Sequence, residues 1–154
     1  KTKEMSLKAQ IMPAMKEAMK AKDKVSLETL RAIKAELLKA ETASGASGEM
    51  SEAEEIKLLQ KMQKQRKDAA AIYVEQGRAD LADDEIAQTK VLVKFLPQQM
   101  SAEELEKAVA SIIQQVGASG PADMGKVMGV ASKELAGKAE GRAVADTVKA
   151  LLMP

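Results

Sequence analysis

The segment Gly120-Pro121-Ala122-Asp123-Met124-Gly125-Lys126 satisfies the first seven positions of a phosphate-cradling loop, G-x-x-x-x-G-K. In such a loop backbone N–H groups surround a phosphate and the lysine neutralises it. The next position holds Val127, where a Ser or Thr hydroxyl would bind Mg²⁺. The residues before it have helical patterning where the loop requires a strand, so the match reads as chance. The carboxylate pairs Glu54-Glu55, Asp83-Asp84 and Glu103-Glu104 could hold Mg²⁺ or share acid–base work. Each falls in the first turn of a predicted helix, where the macrodipole favours anions, and helix-start electrostatics is the better reading. A Ser-Lys nucleophile built on Ser111, Ser119 or Ser132 lacks a Gly/Ser-rich loop to present it. His and Cys are both absent, which excludes Ser-His-Asp and Cys-His catalysis and the usual ligands of zinc, haem and iron–sulfur centres. No catalytic residue, no metal ligand and no cofactor is assigned.

The basic residues are distributed less evenly than the totals suggest. The 154 residues carry 24 Lys+Arg and 23 Asp+Glu, a formal charge of +1. In one predicted helix Lys57, Lys61 and Lys64 fall within one stripe, with Arg66 and Lys67 beside it, opposite Leu59 and Met62. Late in the chain Lys126, Lys133, Lys138, Arg142 and Lys149 outnumber Glu134, Glu140 and Asp146. Lys138 and Arg142 flank a Gly-bounded helix start, where free N–H groups attract anions. The chemistry these residues suit is a shape-reading grip on phosphates; the plain alternative is a solvated surface. Aromatics amount to 1%, Tyr73 and Phe95, too few for stacking on single-stranded bases.

The elements that must position these residues are helical throughout. Hydrophobic residues make up 45% and charged residues 31%, and β-branched runs are absent. Ser6 caps a helix to about Ala21 with Leu7, Ile11, Met15 and Met19 near one face, and Pro13 should kink it. After a break at Lys22-Asp23-Lys24, a second helix carries Leu27, Leu30, Ile33 and Leu37 to about Ala43. Ser44-Gly45-Ala46-Ser47-Gly48 reads as a flexible loop. Ser51 and Glu54 form a capping box opening a third helix that ends near Gly77. A fourth runs from about Asp80 to Leu96, stopped by Pro97. Ser101 and Glu104 repeat the capping box ahead of Leu105, Val109 and Ile112. Two further helices carry Val127, Ala131 and Leu135, then Val144, Val148 and Leu152. Gly125 and Gly129 inside a helix cost about 1 kcal/mol each relative to Ala, and close packing of helix backbones is the expected compensation. Met12, Met15, Met19, Met62, Met124 and Met128 read as adaptable core. Lys1-Thr2-Lys3-Glu4 ahead of Met5 reads as a vector remnant.

The sequence Asp123-Met124-Gly125-Lys126-Val127-Met128-Gly129, then Leu135-Ala136-Gly137-Lys138-Ala139-Glu140-Gly141-Arg142, then Val148-Lys149-Ala150-Leu151-Leu152 resembles the C-terminal signature of the YqeY family. This family is related to the tail of the B subunit of bacterial tRNA-dependent amidotransferases. Leu30-Arg31-Ala32-Ile33-Lys34-Ala35, Lys64-Gln65-Arg66-Lys67-Asp68, Gly77-Arg78-Ala79-Asp80-Leu81-Ala82 and Phe95-Leu96-Pro97-Gln98-Gln99-Met100-Ser101 match it upstream, in order. The patterning breaks at Pro97-Gln98-Gln99-Met100, between four longer helices and three short ones, and the resemblance implies the same all-α organisation: an N-terminal helical domain over 5–97 and a small three-helix C-terminal domain over 98–154.

In the amidotransferase that tail contacts the body of the transfer RNA, while other domains and the A subunit carry out the chemistry. The resemblance therefore implies a non-catalytic module whose partner is tRNA or a tRNA-charging or amidotransferase complex. Glutamine-dependent carbon–nitrogen ligation is not expected of this chain alone. Lys126, Lys138 and Arg142 are the nucleic-acid-binding candidates, with Lys64, Arg66 and Lys67 behind them. A protein–protein adaptor without RNA contact is the alternative. No membrane and no metal partner is implied, and a cytoplasmic location is expected.

Overall fold

The computed structural model describes residues 6–43 and 50–153. The expected vector remnant at residues 1–4 and the expected loop at 44–48 lie outside the described residues. Regular structure among those described is all helical: α1 (Leu7–Ala21), α2 (Lys24–Thr42), α3 (Glu52–Glu75), α4 (Ala79–Val93), α5 (Ala102–Val116), α6 (Met124–Glu134) and α7 (Gly141–Leu152). A single 3-10 turn, Pro121–Asp123, leads into α6. By its contacts the chain divides between Leu96 and Pro97 into two compact units.

In the first unit, side chains set the starts of α1, α2 and α3, while α4 starts without a side-chain cap. Ser6 Oγ accepts from the Ala9 N–H at 3.2 Å, and Asp23 Oδ1 accepts from the Ser26 N–H at 3.1 Å. Ser51 and Glu54 form the reciprocal capping box the spacing predicts, at 3.2 and 2.8 Å. The core gathers Leu7 and Ile11 of α1, Leu30 and Ile33 of α2, Leu59 of α3 and Leu92 of α4, all at most 2% exposed. Each such side chain contributes about 1.5–3 kcal/mol when removed from water.

Two sequence expectations fail in this unit. Met12 and Met19 are 50% and 60% exposed rather than core. Each follows a buried residue, Ile11 or Ala18, and so stands about 100° further round the helix. Helix α4 stops at Val93, not Leu96: the Phe95 and Leu96 N–H groups donate instead to the Leu92 and Val93 carbonyls, at 3.0 and 3.1 Å. This tighter i→i+3 turn takes the chain out of the α conformation that a residue preceding proline disfavours. Pro13 lies inside α1, which continues beyond it to Ala21.

In the second unit α5, α6 and α7 enclose their own core, with Val109, Val127, Ala131 and Val148 fully buried. The capping box of Ser101 and Glu104 opens α5, and Gly117 ends it at φ +69°. That left-handed geometry is easy only for glycine. The segment entering the unit is fixed to its later turn. Gln99 Nε2 donates to the Gly137 carbonyl at 2.6 Å, and the Met100 N–H donates to the Lys138 carbonyl at 2.9 Å.

Candidate nucleic-acid interface

Helix α6 buries Val127 and Ala131 against α5 and α7. Helical spacing then turns Gly125, Lys126, Gly129 and Lys133 to the opposite side, where all four are exposed. The close packing expected of Gly125 and Gly129 is not found. A methyl group added at either would meet nothing within 4 Å. The two glycines therefore lower the stability of α6 without any compensating contact inside the unit. They leave a strip of bare helical backbone beside two lysines.

The loop that resembled a phosphate cradle has no such geometry. It is preceded by a helix, and its N–H groups are turned inward: Asp123 N–H donates to the Gly120 carbonyl at 3.0 Å, and Met124 N–H to the Pro121 carbonyl. Asp123, the N-cap of α6, turns its carboxylate back to accept from the Ser119 N–H at 3.0 Å. Those two N–H groups are spent inside the turn rather than offered to a phosphate.

Beyond α6 the chain reverses through Gly137, whose φ of +77° demands a residue without Cβ strain. The backbone of Gly137 and Lys138 is held from one side by Gln99 and Met100, while the Lys138 side chain is exposed. Helix α7 then starts at Gly141 after Glu140 in extended conformation. No side chain caps it, and its first turn contains no acid. Arg142, the second residue of that turn, is exposed. By contrast α3 and α5 carry capping boxes and acidic first turns. A cation at an uncapped N-terminus is electrostatically misplaced in the isolated chain and well placed beside a bound anion. The side chains of Lys126, Lys138 and Arg142 form no hydrogen bond or ion pair among the described residues.

With that geometry in place, comparison with known families is decisive: residues 8–152 match the Yqey-like protein family. The chain belongs to the Yqey-like family. No curated protein matches it.

The remaining candidates in this Yqey-like chain lie on α3, in the first unit, and are engaged locally. Arg66 Nε donates to Gln88 Oε1 at 2.7 Å, and its Nη1 donates to the Met62 carbonyl at 3.3 Å, so the guanidinium ties α3 to α4. Lys64 pairs with Asp68 at 2.8 Å, one helical turn away, and both are exposed. Lys67 is exposed and also has an interaction partner. The predicted stripe of Lys57, Lys61 and Lys64 is exposed along its length, opposite buried Leu59 and Met62. Lys133, one of the late basic residues noted in the sequence, stands seven positions after Lys126 and four after Gly129, on the same exposed face of α6.

No helix among the described residues is long and apolar enough to cross a membrane. Nor do they gather three or more His, Cys, Asp or Glu into a metal-binding group.

Proposed function

We propose that this Yqey-like chain is a non-catalytic RNA-binding module, acting on tRNA or within a tRNA amidotransferase-related complex. It grips the phosphate backbone with Lys126, Lys138 and Arg142, joined by Lys133. The observation that carries this reading is the pair of helical glycines, Gly125 and Gly129, exposed and unpacked on the α6 face that bears Lys126 and Lys133. An extended polyanion can approach bare backbone more closely than it can a helix covered by side chains. The lysines then act as point charges and Arg142 as a forked donor. Shape rather than sequence would be read, which suits a structured RNA and needs no aromatic platform. Membership of the Yqey-like family agrees with this role through its relation to the amidotransferase tail.

The test is fluorescence anisotropy of labelled bulk bacterial tRNA titrated with the full chain at about 50 and 200 mM salt. Each neutralised phosphate contributes roughly −0.7 to −0.9 to the slope of log K against log salt, so three contacts give about −2 to −3. Replacing Lys138 and Arg142 together with Ala should flatten that slope while leaving the helical content intact. Absence of binding at the lower salt overturns the RNA reading in favour of the adaptor, and a double variant that binds as well as the parent removes Lys138 and Arg142 from the grip.

A further inference from the structure

The first unit carries a surface that the RNA reading does not use. Along one side of α1 stand Lys8, Met12, Met15 and Met19, spaced by four, three and four residues, as in one helical row. Helix α2 presents Leu27, Arg31, Lys34, Leu38 and Glu41 in a matching row. The two rows run side by side in opposite directions, because Lys8 Nζ meets Glu41 Oε2 at 3.3 Å, joining the start of α1 to the end of α2. Between them lies a cleft of about 140 Å³ with Ile11 and Leu37 forming its floor and Met12 and Leu38 its walls. Met12 and Leu38 are each 50% exposed.

The charges around this cleft are one-sided. Among the described residues Glu41 is the only acid lining it, and Glu41 is already paired with Lys8. Lys34 at the rim, Arg31 further along its row and Lys16 beside the α1 row are exposed and form no ion pair among the described residues. An apolar trough rimmed by unpaired cations is complementary to a ligand with apolar side chains on one face and carboxylates beside them. The adaptable thioethers of exposed Met12 and Met19, with Met15 half-buried beneath them against the core, fit a surface that must mould to an incoming side chain. A second copy of the same face would bring Lys34 and Arg31 against like charges. An anionic bilayer is best met by a protruding apolar face, whereas this feature is concave and sized for one large side chain.

We infer that the α1–α2 trough is a docking site for an acidic amphipathic helix of a partner protein. One apolar side chain of that helix enters the cleft between Met12 and Leu38, and its carboxylates pair with Lys34 and Arg31. The inference rests on α1 and α2 alone, so it stands or falls separately from RNA binding by the second unit.

The experiment uses the full chain labelled with ¹³C at its methionine methyl groups. The probe is a helical peptide of about 18 residues with Leu at i, i+4 and i+7 flanked by Glu. Controls are the same peptide with Lys for Glu, a scrambled sequence, and vesicles of anionic phospholipid. The expected result is saturable shifts of the Met12, Met15 and Met19 methyl resonances with the acidic helix, and none at Met124 and Met128. Lys34→Glu should weaken binding at least about tenfold, as like charges then face each other. Leu38→Gln, at a half-exposed position, should weaken it with the circular dichroism unchanged. Equal binding of the Lys peptide, shifts spread over all methionines, shifts caused only by vesicles, or no saturable shift overturns the inference. Concentration-dependent shifts of the same methyl groups without peptide, abolished by Leu38→Gln, would assign the trough to a second copy instead.

Discussion

Glu55 Oε2 accepts a hydrogen bond from the Leu7 N–H at 3.0 Å, across 48 positions of sequence. Leu7 opens α1, which has no acid in its own first turn, and Glu55 is only 4% exposed. A carboxylate on α3 thus satisfies an orphan donor and faces the positive end of another helix. Glu54, its neighbour, caps α3 itself. The adjacent carboxylates therefore serve two helix starts, and neither is presented for acid–base work. Glu55→Ala should destabilise the chain by roughly 1–3 kcal/mol, since it leaves a buried N–H unpaired. Glu55→Gln, which keeps an acceptor oxygen, should cost less. Urea unfolding of both variants decides it: equal losses would mean that charge, not the hydrogen bond, carries the effect.

The helix starts were legible because their causes are local. A Ser followed three residues later by Glu predicts a capping box without reference to the rest of the chain, and both boxes form as read. The role of Glu55 was not legible, because its partner lies 48 residues away and nothing in the spacing names it. Arg66 is a similar case: it reads as one more surface cation, while Gln88, its partner, is on another helix. Gly125 and Gly129 misled in the opposite direction, since i,i+4 glycines imply a neighbour and among the described residues none lies within 4 Å of a methyl group placed there. Met12 and Met19 were misplaced by one residue of helical phase, enough to turn an apolar side chain out of the core.

Those glycines separate stability from binding. At a helical position with open space around it, Gly→Ala gains about 0.5–1 kcal/mol, mainly by restricting the unfolded chain. Gly125→Ala and Gly129→Ala should therefore each raise the unfolding midpoint. If the proposed RNA grip is correct, the same methyl groups hold a phosphate backbone away from α6 and weaken tRNA binding. Gly117→Ala is the control, because its φ of +69° strains any side chain and the variant should lose stability. Thermal unfolding combined with tRNA anisotropy reads both quantities. Alanines that stabilise the helix and leave binding unchanged would remove the bare backbone from the interface.

Acid should loosen the first unit at an identifiable group. The Ser26 hydroxyl donates to Asp23 Oδ2 at 2.7 Å, and with the Ser26 N–H it holds the Asp23 carboxyl below its ordinary value. A carboxyl depressed in the folded state contributes stability that is fully present above the unfolded value, about pH 4. That contribution is lost as pH falls through the lower, folded value. Glu54 shifts the same way, through the Ser51 N–H first and the Ser51 hydroxyl second. Thermal midpoints between about pH 6 and 2 should fall less steeply for Asp23→Asn, which keeps a capping oxygen but cannot titrate. Parallel profiles for parent and variant would show that Asp23 has the same affinity for protons folded and unfolded.

The second unit should fold by itself as residues 97–154. It has its own core, and its entering strand of chain is held within it: Gln99 Nε2 donates to the Pro97 and Gly137 carbonyls at 2.7 and 2.6 Å. A unit of about 60 residues buries only around 60% of its unfolded surface and is marginal, so single hydrogen bonds count. The isolated fragment should unfold cooperatively with heat, and Gln99→Ala should cost it about 1 kcal/mol, the usual net value of one such bond. A fragment that stays helical but melts without a cooperative transition would show that residues before Pro97 complete the fold. Cooperative unfolding of the fragment, together with retained tRNA affinity, would place the RNA grip wholly on α5, α6 and α7. It would then be independent of Lys64, Arg66 and Lys67.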